Sequence, residues 1–300
     1  MPKVQEFTSK IALGTVQFGL DYGVSNKSGK TPEKEVREIL SECNRTGIKT
    51  FDTASAYGES EAVLGKCLSE TVDAQIITKL PAGYATLGHL TSDCLTESLQ
   101  RLNLKKIYGL LLHSEEDLHG KYADVAWSEL VELKKTGQVK KIGASFYTPE
   151  KLLSALRRFD LDIIQVPYNL LDHRFFTAEL IALYKEKSIE VHTRSVFLQG
   201  AFFLDAEKLP KQMARFKLSL QSLSHISANH KFPLHLMSLA DALFNKSISK
   251  IVLGFSSANE LREILRAEIS EFSNDAQAEV AQVIKTMDSK LIDPRLWNEG

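Results

Sequence analysis

The chain has little of several things that would otherwise set its class. Its three cysteines, Cys43, Cys67 and Cys94, stand singly with no histidine at metal-ligand spacing, so neither a disulfide framework nor a zinc site is expected. Long like-charged runs are missing: 37 basic side chains face 38 acidic ones for a net charge of -1, which removes the footprint of a nucleic-acid or anionic-membrane binder. No apolar run approaches the roughly 20 residues of a membrane span. The opening MPKVQEFTSK also lacks the apolar stretch of a secretory signal, so the expectation is a soluble cytoplasmic protein. Nothing in the sequence speaks to oligomeric state.

What is present suits one large globular domain over residues 1–300, with 43% hydrophobic and 25% charged content. Eight short β-rich runs recur: IALGTVQFG from 11, KTFDTA from 49, AQIITKL from 74, IYGLLLH from 107, KKIGASF from 140, IIQVPYN from 163, IEVHTRS from 189 and KIVLGF from 250. Between them the apolar residues recur at three and four. In PEKEVREILSECNRTG, for example, Val36, Ile39, Leu40 and Cys43 share one helical face. Thr31-Pro32 opens that helix, Gly47 closes it, and Thr148-Pro149 opens the helix after the fifth run.

Strand and helix alternating about eight times predict a parallel (β/α)8 TIM barrel. The competing doubly wound sheet would need a glycine fingerprint after its first strand, and Gly19, Gly23 and Gly29 have the wrong spacing with no immediate helix. An insertion at 198–232 separates the seventh strand from the eighth and is expected to flank a ligand. An extra C-terminal helix is expected at 276–287, followed by a tail ending DPRLWNEG outside the barrel.

The second strand ends in Asp52, the third in Lys79 and the fourth in His113, so three ionisable side chains converge on one rim, with Tyr57 reaching it from the following loop. An ammonium beside a phenol lowers its pKa, and a carboxylate keeps a partly buried ammonium charged. Lys79 would thus act on Tyr57, and Asp52 on Lys79. A neutral imidazole at His113 can orient a substrate oxygen. Proton donation to a carbonyl by such a tyrosine is what carbonyl reduction asks of a protein; the hydride must come from a reduced nicotinamide.

The stretch FDTASAYGESEAVLG resembles the aldo-keto reductase signature, and ITKL, LLLH, KKIGAS, IIQVPYN and KIVLGFSS continue the resemblance in order over residues 11–268. The resemblance implies a (β/α)8 barrel that binds NADP(H) across its strand C-termini, with Tyr57 as proton donor, Asp52 and Lys79 tuning it, and His113 orienting a small aldehyde or ketone. By the same resemblance Ser145 and Gln165 hold the nicotinamide carboxamide, with Asn169 a further cofactor candidate at the end of the Gln165 strand, although Phe146 stands where relatives carry Asn. Arg194 replaces an aromatic residue that stacks on the nicotinamide, and Leu198, Gln199 and Gly200 follow near the pyrophosphate. Gly254, Ser256 and Ser257 open a helix suited to phosphate, with Arg262 one turn on. Relatives that strongly prefer NADPH carry Arg or Lys where the two serines stand. The expectation is therefore NADPH preferred by a reduced margin, with NADH possible.

Two alternatives share the fold: a cofactor-sensing module with little turnover, and a barrel whose serines bind a sugar phosphate. Pocket-shaping residues are expected at 18–29, Tyr84, 118–122 and 198–232, the last with a basic excess that reads either as an anion attractor or as a solvated loop. The stretch LGTVQFGLDYGVSN resembles family members of bacterial sugar or surface-polysaccharide metabolism.

Overall fold

The computed structural model describes residues 2–26, 28–68, 73–83, 91–271 and 273–297; Tyr84 and the last three residues of the tail lie outside them. Eight parallel strands close into a barrel in sequence order. They are β1 (Ile11–Gly14), β2 (Thr50–Asp52), β3 (Gln75–Leu80), β4 (Ile107–Leu112), β5 (Val139–Ser145), β6 (Ile163–Pro167), β7 (Glu190–Arg194) and β8 (Lys250–Gly254). The helices are α1 (Val16–Gly19), α2 (Glu33–Thr46), α3 (Ser60–Cys67), α4 (Thr91–Leu102), α5 (Ala123–Lys135) and α6 (Pro149–Arg158). They continue with α7 (Ala178–Glu186), α8 (Lys217–Asn229), α9 (Leu234–Phe244), α10 (Ala258–Arg266) and α11 (Asn274–Thr286).

Local chemistry explains these boundaries. The apolar stripe of α2, Val36, Ile39, Leu40 and Cys43, is buried, and Gly47 ends the helix at φ +81°, a left-handed conformation that costs glycine little. The first β-rich run departs from expectation: its strand stops at Gly14 and Val16–Gly19 turns into a short helix. Thr15 makes the break, its backbone leaving the extended region and its hydroxyl donating to the Asp52 carbonyl at 3.0 Å.

Side chains of a strand alternate between faces, so the strand register sets what the barrel interior contains. Ile77, Leu111 and Ile163 pack together as an apolar layer inside the barrel. Asp52 pairs with Ile77 across β2 and β3. Two residues beyond those three aliphatic residues, on the same faces, stand Lys79, His113 and Gln165, and Ser145 is level with Gln165. The polar rim is thus the next layer above a dry floor. A larger cluster, including Leu13, Phe51, Ile76, Leu110, Ile142 and Leu253, fills the space between strands and surrounding helices.

The insertion corrects the solvated-loop expectation. Leu198, Phe202, Met213, Phe216, Leu220, Leu223 and Ile226 join Val280, Val283, Leu291 and Trp297 in a second buried cluster. Trp297 is anchored by its indole N–H donating to the Leu291 carbonyl at 3.1 Å. Each such large side chain contributes about 1.5–3 kcal/mol on burial. The insertion, α11 and the tail therefore stabilise one another. The extra helix begins two residues earlier than the sequence spacing indicates, because Ser273 caps it by accepting from Ala276 N–H. The insertion's basic excess is partly neutralised locally: Lys217 pairs with Glu207 at 2.5 Å and Lys208 with Asp205 at 3.4 Å.

Candidate active site

At the strand C-termini lies a cleft of about 1070 Å³ lined by Asp52, Tyr57, His113, Ser145, Tyr147, Gln165 and Arg194, among others. Its size is at the large end of small-molecule sites, enough for an extended ligand beside a compact one.

Tyr57 is held by the loop between β2 and α3. Its N–H donates to Ala54 O at 3.0 Å, and its carbonyl accepts from Ser60 N–H at 3.1 Å. The Ser60 hydroxyl sits in a buried knot, 2.7 Å from the Thr15 hydroxyl and 3.0 Å from that of Thr53. Ser55 ties the loop to β3 through its hydroxyl, which donates to the Lys79 carbonyl at 2.9 Å. Gly19 packs against the same loop so tightly that a Cβ there would lie 1.8 Å from Tyr57 O.

Beneath Tyr57 the Lys79 ammonium donates to Asp52 Oδ1 at 2.7 Å and to the Thr53 carbonyl at 2.9 Å. The pair is almost wholly buried, at 1% and 4% side-chain exposure. Gln165 Nε2 donates to the other Asp52 oxygen at 2.7 Å, so both carboxylate oxygens are satisfied, as a buried charge requires. The Lys79 ammonium also lies 5.2 Å from the centre of the Tyr57 ring, and the Tyr57 and His113 rings meet edge to face at 5.7 Å and 81°.

The electrostatics differ in one respect from expectation. Burial pushes the Tyr57 phenol well above its ordinary value, the Asp52 charge adds to this, and the Arg194 guanidinium opposes it. The expected lowering by Lys79 is overridden because desolvating a phenolate dominates and the ammonium is engaged with Asp52. Lys79 is itself pulled down by burial, with Asp52 opposing. His113 is pushed down to about 4, first by burial and then by the Lys79 charge, so its imidazole is neutral at neutral pH. The arrangement presents a protonated phenol and a neutral imidazole to one point.

The candidate cofactor residues divide into two groups. Ser145, Gln165, Arg194, Gln199, Gly200, Gly254 and Ser256 line the cleft. Gln199 and Gly200 carry positive φ values of 52° and 93°, and a Cβ at Gly200 would lie 2.1 Å from Ser25 Oγ. Gln17 also faces the cleft, and its Oε1 is buried without a partner among the described residues. Such an orphaned acceptor, with Gly254 packed so closely that a Cβ there would lie 2.6 Å from the Gln17 amide, fits a polar ligand lying over this wall.

Four residues are placed elsewhere. Asn169 is fully buried, its Oδ1 accepting from Leu171 N–H at 2.9 Å. Leu198 belongs to the second core cluster. Ser257 caps α10 by accepting from Glu260 N–H. Arg262 turns to Glu42 at 3.3 Å and donates to Asn259 Oδ1 at 2.9 Å, because the buried Glu42 carboxylate attracts it away from the rim.

Arg194 lies 3.9 Å from the centre of the Tyr147 ring, so one face of its guanidinium is stacked on a protein side chain. Arg295, from the tail, stacks on the same ring at 3.5 Å and lines the cleft with Pro294. Tyr147, Arg295, Gln17 and Glu260 are cleft residues that the sequence reading missed, whereas Phe203 belongs to the 198–232 stretch expected to shape the pocket. Only Glu260 had a local signal, the Ser257-x-x-Glu260 capping pattern. Of the loops expected to shape the pocket, Tyr22, Gly23, Ser25, Asn26 and Ser28 line it, whereas residues 118–122 do not.

Among the described residues no group of three or more His, Cys, Asp or Glu could hold a metal, and no helix is long and apolar enough to cross a membrane.

The sequence pattern of the Aldo/keto reductase family matches residues 10–285. The NADH-specific methylglyoxal reductase of Escherichia coli (strain K12) is 23% identical over 92% of this chain and 96% of its own. The D-threo-aldose 1-dehydrogenase of a Pseudomonas species is 26% identical over 90% and 95%. Among solved structures, an aldo-keto reductase from Bacillus halodurans superposes with a TM-score of 0.70 at 22% identity, covering 91% of each chain. A glycerol dehydrogenase from Gluconobacter oxydans also reaches 0.70, at 16% identity over 92% and 91%.

Proposed function

The chain belongs to the aldo/keto reductase family, and from that premise we propose that it reduces a small aldehyde or ketone to the alcohol with a nicotinamide dinucleotide, NADH or NADPH. The observation that carries this reading is the buried Lys79–Asp52 pair directly beneath Tyr57, with His113 edge-on to the same ring.

A bound reduced nicotinamide would supply the hydride for the carbonyl carbon. Everything else is the work of the chain. The carbonyl oxygen is received between the Tyr57 hydroxyl and the neutral His113 imidazole, which donates a hydrogen bond and orients it. As the C–O double bond becomes single, the oxygen takes the Tyr57 proton, and the product leaves as an alcohol. The Lys79 ammonium beside the ring stabilises the phenolate formed in that step, and Asp52 with Gln165 holds the ammonium in place. Ser145 and the free valences of Gln165 are the candidates to hold the cofactor's reactive end. Gln17, Gln199, Gly200, Gly254 and Ser256 are the candidates along its length. Arg194, stacked on Tyr147 and close enough to act electrostatically on Tyr57 and His113, helps to neutralise charge at the reacting oxygen.

The test is a panel of small aldehydes and ketones with each cofactor, following nicotinamide absorbance. Carbonyl-dependent oxidation of the cofactor supports the reading; its absence across the panel with both cofactors overturns it.

A further inference from the structure

Resting on the nicotinamide reading, we propose that Glu260 selects the cofactor that lacks a 2′-phosphate, so that this chain takes NADH in preference to NADPH. The cleft runs from Tyr57 and His113 to the start of α10, where Gly254, Ser256, Glu260 and Glu263 form its wall. With a nicotinamide at Tyr57, an extended dinucleotide lying along the cleft would bring its far ribose to this end.

An unmodified helix start attracts phosphate through free N–H groups and the helix dipole. Here that attraction is already used. Ser256 N–H donates to the Glu260 carboxylate at 2.8 Å, and Ala258 N–H donates to Glu35 at 2.6 Å. Glu260 is fixed in this position from both sides, since its own N–H donates to Ser257 Oγ at 3.1 Å. The nearby cation, Arg262, is committed to Glu42 and Asn259. A 2′-phosphate would bring nearly two negative charges against Glu260 and Glu263 and find two of the backbone donors occupied. A ribose 2′-hydroxyl brings a donor, which a carboxylate accepts well. The same carboxylates that repel one cofactor thus recognise the other, which is selection by attraction and repulsion together.

Dissociation constants for NADH and NADPH, measured by fluorescence titration of wild type, Glu260→Gln and Glu35→Gln, test the assignment. Wild type should bind NADH at least about tenfold more tightly than NADPH, and Glu260→Gln should recover about tenfold in NADPH binding while changing NADH by less than about threefold. Glu35→Gln, which removes a negative charge at the start of α10 without altering the cleft wall, should tighten NADPH by a smaller factor. The wild-type discrimination should shrink as salt screens the charges. Wild type favouring NADPH, or Glu260→Gln moving both cofactors equally, would overturn the role of Glu260 while leaving the nicotinamide reading intact. Binding of neither dinucleotide by any of the three proteins would overturn both.

Discussion

Gly19 approaches Tyr57 so closely that a methyl group on its Cα would sit 1.8 Å from the Tyr57 carbonyl oxygen. The short helix after β1 and the loop after β2 are therefore locked together through bare backbone. Gly19→Ala must push the loop outward, at a cost of about 1–3 kcal/mol by overpacking, and carry the Tyr57 hydroxyl off its line to the substrate. We expect kcat/KM to fall at least about tenfold, since misplacement by about an ångström costs up to a hundredfold, while cofactor affinity changes little. Thermal unfolding and steady-state kinetics on the same preparation check this; full activity would show that the loop yields without moving Tyr57.

Tyr57→Phe removes a proton and almost no volume. Reduction should fall by about 100-fold or more, with the cofactor dissociation constant within a few-fold of wild type. Turnover close to that of wild type would end the assignment of Tyr57 as donor.

Lys79→Met leaves the Asp52 carboxylate buried with Gln165 as its one side-chain partner among the described residues. Breaking one side of a buried pair costs about 3–5 kcal/mol, whereas replacing both sides is tolerated far better. The double variant Lys79→Met with Asp52→Asn should therefore regain much of the stability lost in the single one, yet remain nearly inactive because the phenolate has lost the ammonium beside its ring. Chemical denaturation separates these outcomes; a double variant as unstable as the single one would show that the destabilisation lies elsewhere.

His113 gives a pH signature whose sign is fixed by its environment. Its folded value, about 4, is below the ordinary 6.5. The unfolded chain therefore binds the proton first, and stability falls as pH drops from about 6.5 toward about 4. Above the ordinary value this contribution is fully present. Reduction should accordingly persist through pH 6 and decline only as the imidazole protonates near 4. Denaturant midpoints across this range, compared with His113→Gln, should show a shallower slope in the variant.

Much of the barrel was legible because its signals are local. Eight apolar runs separated by amphipathic stretches, with Gly47 and Pro149 at helix boundaries, reflect backbone and burial rules that act within a few residues. The convergence of Asp52, Lys79 and His113 was legible as well, since matching strand-end positions meet once the strands are known to be neighbours. Contacts fixed by packing at long range were not. Arg295 reaches Tyr147 across 148 positions of chain, and no local pattern announces it. The second cluster was hidden for a related reason: Phe216 and Trp297 become core residues only through each other's segments. Arg262 was misplaced because its partner Glu42 lies on another helix, α2.

The tail's position over the barrel has a consequence for how the protein is made. Tyr57, Lys79 and His113 all leave the ribosome well ahead of β8 and Arg295, as chains emerge N-terminus first. The cleft they serve remains unwalled until β8 has sealed against β1 and Arg295 has settled on Tyr147. A nascent chain therefore carries its reactive residues well before it can shelter a substrate, and competence arrives only after Arg295 has emerged.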